Sequence, residues 1–144
     1  MAKARKEMRR IFLSYASVDK ACATLLRKLL AHQPNLRIFT NDSLSAGENW
    51  ESKLKSELTS CDLFVVLVSP ASVESDWVLH ELGAAWGLGK PIVAVTTHPE
   101  VSSKIPVALS EIRLIDIKDI ENPDVINQIL EYSKKSDALE TTTI

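Results

Sequence analysis

Two side chains that could carry out chemistry together stand one helical turn apart in the segment SDWVLHEL, residues 75–82. They are the indole of Trp77 and the carboxylate of Glu81. On a helix with about 100° per residue they lie about 40° apart, at the edge of an apolar stripe. Spacing alone favours a tryptophan at the rim of the core beside a solvated glutamate. The predicted stripe consists of Val78, Leu79, Leu82, Ala85 and Trp86.

The alternative interpretation of this pair is catalytic. Most glycosidases need two carboxyl groups, because one of them must protonate a poor leaving group. A pyridinium N-glycoside needs no acid, since its cationic base departs as a neutral molecule. One carboxylate such as Glu81 can then hold the ribose hydroxyls and stabilise positive charge at the anomeric carbon. A ring such as Trp77 can stack on the cationic base, which is worth about 0.5–2 kcal/mol.

Several other kinds of site have no support in the sequence. GxxxxGK[ST], GxGxxG and GxSxG motifs are absent. The three histidines show no metal-ligand spacing, and the two cysteines form neither a CxxC motif nor a Cys/His pair. We therefore predict no metal site and no cofactor. The net charge of −2 gives no overall attraction to nucleic acid or to a membrane.

The elements that would position Trp77 and Glu81 alternate between strand and helix. Strands are predicted at residues 9–15, 36–40, 62–69, 91–97 and 112–118, with helical patterns between them. Residues 62–69, DLFVVLVS, contain six consecutive apolar residues, which is typical of a strand covered on both faces. The predicted fold is α/β: a flavodoxin-like, doubly wound, five-stranded parallel sheet with helices on both faces.

Ligands of such sheets bind beyond the carboxyl ends of the strands, at the point where strand order reverses. Here that point joins residues 15–17, after the first strand, to residues 69–81, after the third. The third strand ends in Ser69, where a response-regulator receiver needs an acidic residue, so that class is excluded. For Tyr15, packing on the first helix and a role in the pocket are equally compatible with the sequence.

Three segments are predicted along the chain. Residues 1–8 form a basic arm, for which solvation is favoured over nucleic-acid binding. Residues 9–133 form the folded domain, and residues 134–144, which have no hydrophobic period, form a flexible tail or linker. No apolar run approaches the ~18 residues of a membrane helix, and no secretory signal is present, so we expect a cytoplasmic location.

Four segments, taken in order, resemble the signature regions of Toll/interleukin-receptor (TIR) domains. RRIFLSYASVD resembles the first signature box, and FTNDSLSAGENWESKL resembles the BB loop with its following helix. DLFVVLVSPASVESDWVLHEL resembles the third strand and the Ser-x-Trp-x-x-x-Glu motif of enzymatic TIR domains. IPVALSEIRLIDIKD resembles the end of bacterial TIR domains. The resemblance covers roughly residues 9–133.

This resemblance implies an enzyme that cleaves the nicotinamide–ribose bond of NAD+, giving nicotinamide and ADP-ribose or a cyclic isomer. NAD+ is the substrate and no cofactor is implied. The family's catalytic glutamate corresponds to Glu81 and its motif tryptophan to Trp77. The substrate pocket implied by the resemblance also includes Tyr15, Ala16, Asp42, Ser43, Leu44 and Gly47.

Some of these positions have other interpretations or depart from the family pattern. For Gly47 we favour a turn that needs a positive φ, and for Trp50 a helix-face anchor. Some family members carry a basic residue directly after the tyrosine, where this chain has Ala16 and Ser17.

The implied partners are other TIR domains, in a homo-oligomer or filament whose pockets are completed by a neighbour's BB loop. The resemblance further implies a role in prokaryotic immune defence, with the sensor in another part of a longer protein or in a partner. Two other hypotheses stay open. One is a non-enzymatic TIR scaffold or host-mimicking adaptor, and the other is a nucleoside transferase on a similar fold.

Overall fold

The computed structural model of the protein describes residues 8–40, 50–104 and 112–142. Within these ranges the chain forms one five-stranded, wholly parallel sheet in the order β2-β1-β3-β4-β5. The strands are β1 (Arg9–Ser14), β2 (Leu36–Thr40), β3 (Leu63–Val68), β4 (Ile92–Thr96) and β5 (Arg113–Asp116). The helices are α1 (Lys20–Leu30), α2 (Trp50–Ser60), α3 (Asp76–Gly87) and α4 (Pro123–Thr142). The predicted fold class is confirmed.

Strand β3 lies at the centre of the sheet. It pairs with β1 on one side and β4 on the other, and all six of its residues are buried. Side chains of a strand point alternately to opposite faces, so an unbroken apolar run is what a strand needs when both faces are covered.

The two faces of the sheet carry different helices. Leu63, Val65 and Leu67 pack in one core with residues of α1 and α4, such as Leu26 and Ile129. Phe64, Val66 and Val68 pack in a second core with residues of α2 and α3. Helix α3 packs against β1 and β3. Its buried face therefore contacts the two strands whose carboxyl ends form the switch point.

The buried face of α3 differs from the predicted stripe. Glu81 is buried, whereas Leu79 and Trp86 are 37% and 52% exposed. The buried arc is rotated by about 50° from the predicted one. The solvated glutamate that spacing alone favoured is therefore wrong. The pattern misled because this helix is apolar almost all round, so hydrophobicity alone does not define which side faces the sheet. The face that packs on the sheet comprises Val78, Glu81, Leu82 and Ala85.

The last helix is longer than predicted. Its backbone continues to Thr142, through most of the segment 134–144 for which a flexible tail or linker was predicted. The segment has no hydrophobic period, but it also has no Gly or Pro to stop a helix already begun at Pro123. No helix in the described part of the chain is both long and apolar enough to cross a bilayer.

Candidate functional site

The chain between β3 and α3 is held by a set of serine side chains. The backbone N–H of Ser69 donates to Ser72 Oγ (2.8 Å), and the backbone N–H of Ser72 donates to Ser69 Oγ (3.0 Å). This fixes the 3₁₀ turn Ser72–Glu74. Ser75 then caps α3 by accepting a hydrogen bond from the backbone N–H of Val78 (3.2 Å). The start of α3, and hence the direction of its first turns, is therefore well defined.

Glu81 lies in the second turn of α3 and meets the end of β1. The Ser14 hydroxyl donates a hydrogen bond to Glu81 Oε1 at 2.6 Å. Both residues are buried, with 0% of Ser14 and 3% of Glu81 exposed. The other carboxylate oxygen, Oε2, is buried and has no hydrogen-bond partner among the described residues. Buried polar atoms nearly always have a partner, so an unsatisfied carboxylate oxygen points to a functional use of this residue.

The environment of Glu81 changes its ionisation. Burial raises the pKa of its carboxyl to about 7 from an ordinary value of 4.5, and hydrogen bonding by Ser14 and Trp77 opposes this rise. Unlike an ordinary glutamate, the carboxyl group therefore keeps a substantial protonated fraction at neutral pH. Perturbed pKa values of this kind concentrate at functional sites.

A cavity of about 510 Å³ opens at the carboxyl ends of β1 and β3. Its size is in the usual range for small-molecule sites. One wall comes from the segment after β1 and the other from the segment after β3, as the switch-point argument predicted. Between the two segments, the Ser69 hydroxyl donates a hydrogen bond to the Asp19 carboxylate at 2.5 Å. The cavity is lined by Tyr15, Ala16, Ser17, Val18, Lys20, Ala71, Ser75 and Trp77.

Glu81 borders this cavity through its neighbours and does not line it. Its hydrogen-bond partner Ser14 directly precedes two lining residues, Tyr15 and Ala16. Trp77, one turn earlier on α3, lines the opposite wall and is 38% exposed. The cavity therefore has an aromatic residue in each wall, and two of its lining residues directly follow the serine that binds the Glu81 carboxylate.

The structure brings together half of the predicted site. Tyr15, Ala16 and Trp77 line one cavity, and Glu81 adjoins it. Tyr15 lines this cavity and also belongs to the core that contains residues of α1. The rest of the predicted pocket lies outside the described residues, as does the side chain of Trp50. Those predicted pocket residues are Asp42, Ser43, Leu44 and Gly47.

Two residues of the site were missed at the sequence level. Lys20, at the start of α1, is a basic residue that lines the cavity. Ser14 is the buried partner of Glu81. The signal for Ser14 was a polar residue that directly follows the apolar residues of β1. The signal for Lys20 was that it is the first basic residue after Tyr15. In the described part of the chain no group of three or more His, Cys, Asp or Glu residues could hold a metal ion.

Comparison with known proteins identifies the family. A family model described as TIR domain matches residues 11–130. The chain belongs to the TIR-domain family. No curated protein matches this TIR domain significantly.

Solved structures show the same fold at low sequence identity. The TIR domain of the Toll-related receptor TRR-2 from Hydra magnipapillata superposes with a TM-score of 0.63 at 20% identity, covering 83% of this chain and 93% of that one. The TIR domains of the activated Roq1 resistosome, which directly recognizes the pathogen effector XopQ, give 0.55 at 20% identity, with coverages of 89% and 81%. A 2-desoxiribosyltransferase from Leishmania mexicana gives 0.51 at 22% identity, with coverages of 62% and 65%.

Proposed function

We propose that this TIR domain is an NAD+ glycohydrolase. It cleaves the bond between nicotinamide and ribose and releases nicotinamide with ADP-ribose or a cyclic isomer. The observation that carries the proposal is the buried carboxylate of Glu81, which has one oxygen held by Ser14 and the other unsatisfied, beside a cavity at the switch point of the sheet. A scaffold has no need for such a group, which lowers the stability of the fold when it is ionised.

The chemistry requires little beyond this carboxylate. Nicotinamide in NAD+ is a pyridinium group, so it leaves as a neutral base without protonation. Positive charge then grows at the anomeric carbon of the ribose as the C–N bond breaks. Water attacks that carbon and loses a proton to give ADP-ribose, or a nucleophilic atom of the same molecule attacks it to give a cyclic isomer. An ionised Glu81 stabilises that charge and accepts hydrogen bonds from ribose hydroxyls, and both effects are strong where water is excluded. We assign these contacts to Oε2, because it is the oxygen that has no hydrogen-bond partner among the described residues.

The cavity residues supply binding. Trp77 offers a partly exposed ring that can stack on the pyridinium, and stacking on a cation is worth about 0.5–2 kcal/mol. Lys20 lines the same cavity, and its ammonium group is the proposed partner of the pyrophosphate. We propose that Lys20 takes the part of the basic residue that some relatives carry directly after the tyrosine. Tyr15 and Ala16 complete the wall of the cavity.

Self-association is the proposed mode of activation. The TIR domains of the Roq1 resistosome belong to an assembly, and their fold is shared by this chain. In an assembly, residues 42–47 of a neighbouring copy complete the pocket, so activity rises with local concentration. We place this activity in the cytoplasm, in prokaryotic immune defence, with activation by a sensor domain or partner protein.

Transfer of a 2-deoxyribosyl group is the second candidate activity. The observation that favours it is the shared fold with the 2-desoxiribosyltransferase of Leishmania mexicana. A deoxyribosyl transfer would use the same carboxylate at an anomeric carbon, but with a 2′-deoxynucleoside in place of NAD+.

A substrate comparison at high protein concentration tests the proposal. The concentrated or crowded protein is incubated with NAD+, or with a 2′-deoxynucleoside and a free acceptor base, and the released bases are quantified by chromatography. We expect nicotinamide from NAD+, lost in Glu81→Gln and kept in Glu74→Gln, which changes an exposed carboxylate of the preceding turn. Base exchange without nicotinamide release would favour the transferase. An assembled protein with neither activity would favour the scaffold.

A further inference from the structure

Ser14 is the one residue in the buried part of β1 with a polar side chain. Residues 11–14 of this strand are all buried, and the first three are Ile11, Phe12 and Leu13. Alternation along the strand places Phe12 and Ser14 on the face that packs against α2 and α3. Alanine would satisfy the packing of a small side chain at this position. Packing within the sheet therefore does not explain why this residue carries a hydroxyl group.

The hydroxyl is placed rigidly. Ser14 pairs with Val66 of β3, and the preceding residue, Leu13, pairs with β2 and β3 at once. The backbone of Ser14 is thereby fixed inside the sheet, and serine has a single side-chain torsion before its oxygen. That oxygen lies 2.6 Å from Glu81 Oε1, across 67 residues of sequence. A serine hydroxyl has one proton to donate, and in this geometry it donates a hydrogen bond to the carboxylate.

We propose that Ser14 is a positioning residue for Glu81, holding the carboxylate by Oε1 so that Oε2 is presented to the ribose of the substrate. The inference rests on the proposed function, because it assigns Oε2 a substrate. It is supported by the asymmetry of the buried carboxylate: Oε1 accepts the hydrogen bond from Ser14, whereas Oε2 is buried without a hydrogen-bond partner among the described residues.

Removal of the hydroxyl has two consequences. The carboxylate loses the contact that fixes its rotation, so the productive orientation is less populated and kcat falls. The ionised form also loses a hydrogen bond that favours it, so the pKa of Glu81 rises further above its ordinary value. Burial, Ser14 and Trp77 set that pKa, and the charged residues at this end of the sheet, Asp19 and Lys20, are unchanged in the variants proposed below.

The test compares Ser14→Ala with Ser14→Thr, which keeps a hydroxyl, and with Ser14→Cys, which keeps the size but donates weakly. Ser60→Ala, at an exposed serine ending α2, is the matched control.

For Ser14→Ala we expect kcat to fall about tenfold or more, with KM for NAD+ within about twofold of the wild-type value. We expect the acidic limb of the pH–rate profile to move up by about one unit, a tenfold change in ionisation. Ser14→Thr restores both, and Ser14→Cys is intermediate. An Ala variant with the wild-type profile and kcat overturns the inference.

A second measurement separates this inference from the proposed function. The Glu81 carboxyl is titrated by carbon-13 NMR in the wild type and in each variant, without NAD+. A higher pKa in Ser14→Ala and a restored one in Ser14→Thr support the Ser14–Glu81 contact, and an unchanged pKa overturns it. If the assembled wild type releases no nicotinamide, the proposed function fails while this titration still decides on Ser14. Thermal melting at pH 5 identifies any variant that fails to fold, in which case the Cys variant supplies the comparison.

Discussion

The stability of Glu81→Gln relative to the wild type should be greater at pH 8 than at pH 5, because the substitution removes a carboxylate that is buried and charged at pH 8. The pKa of Glu81 is about 7 in the folded protein, against 4.5 for an ordinary glutamate. Between these values the folded state keeps a proton that the unfolded chain has released. Stability contributed by this group is therefore present below pH 4.5 and is lost as the pH rises through 7. The full loss is on the order of 3 kcal/mol, since each pKa unit is worth about 1.4 kcal/mol.

The measured quantity is a difference between two pH values. Glutamine can still accept the hydrogen bond from Ser14, but it buries an amide where Oε2 lies, at a fixed cost of about 1–3 kcal/mol. That cost is the same at both pH values and cancels in the difference. From pH 5 to pH 8 the wild type should lose about 2–3 kcal/mol relative to Glu81→Gln. An exposed glutamate would give a difference near zero.

Urea denaturation at pH 5 and pH 8 measures this difference directly. The free energy of unfolding is extrapolated for the wild type, Glu81→Gln and the exposed control Glu74→Gln, and equal m-values confirm comparable unfolding transitions. All other titrating groups are shared, so their contributions cancel between variants. If wild type and Glu81→Gln lose stability in parallel from pH 5 to pH 8, the carboxylate is not the buried, raised-pKa group described above.

Four further predictions follow from the site. The rate of NAD+ cleavage should rise with pH around a midpoint near 7 as Glu81 ionises; a rate that is constant from pH 5 to 8 would contradict a role for the charged form. Trp77→Ala should lower both activity and the melting temperature, while Trp77→Phe keeps a ring and most of the rate; full activity in the Ala variant argues against stacking. Lys20→Ala should raise KM for NAD+ several-fold but leave KM for nicotinamide riboside, which has no pyrophosphate, nearly unchanged, and Lys20→Arg should restore it. Specific activity should increase steeply with protein concentration, and clear turnover with no such dependence would exclude activation by assembly.

The strands could be predicted from local pattern, and the location of the cavity then followed from the rules for parallel sheets. The apolar run of β3 identified a central strand, and parallel connections then placed residues 15–17 beside residues 69–81. The side chains that meet within the site were harder to predict. The contact of Ser14 with Glu81 spans 67 residues and has no local signature.

Side-chain burial on α3 was not predictable for a related reason. Glutamate is almost always exposed, and a helix that is apolar almost all round gives little indication of which arc packs on the sheet. Glu81 is buried because the fold places it over the end of β1, where Ser14 can pair with it. Local rules of sequence fail at this residue, and functional sites are where such failures are expected. The length of α4 was missed because helix propensity and the absence of a stop signal extend it without any apolar period.

The central claim is that Glu81 cleaves NAD+ through its ionised carboxylate, and one measurement tests it most directly. Proton NMR follows nicotinamide release from NAD+ by concentrated wild-type protein and by Glu81→Gln at pH 8, with both shown to be folded by their urea transitions. We expect steady release by the wild type and a loss of at least a thousandfold in the variant, since a charge-stabilising group contributes several kcal/mol to the barrier and about 1.4 kcal/mol is tenfold in rate. A folded Glu81→Gln protein that releases nicotinamide at a rate close to that of the wild type would contradict it.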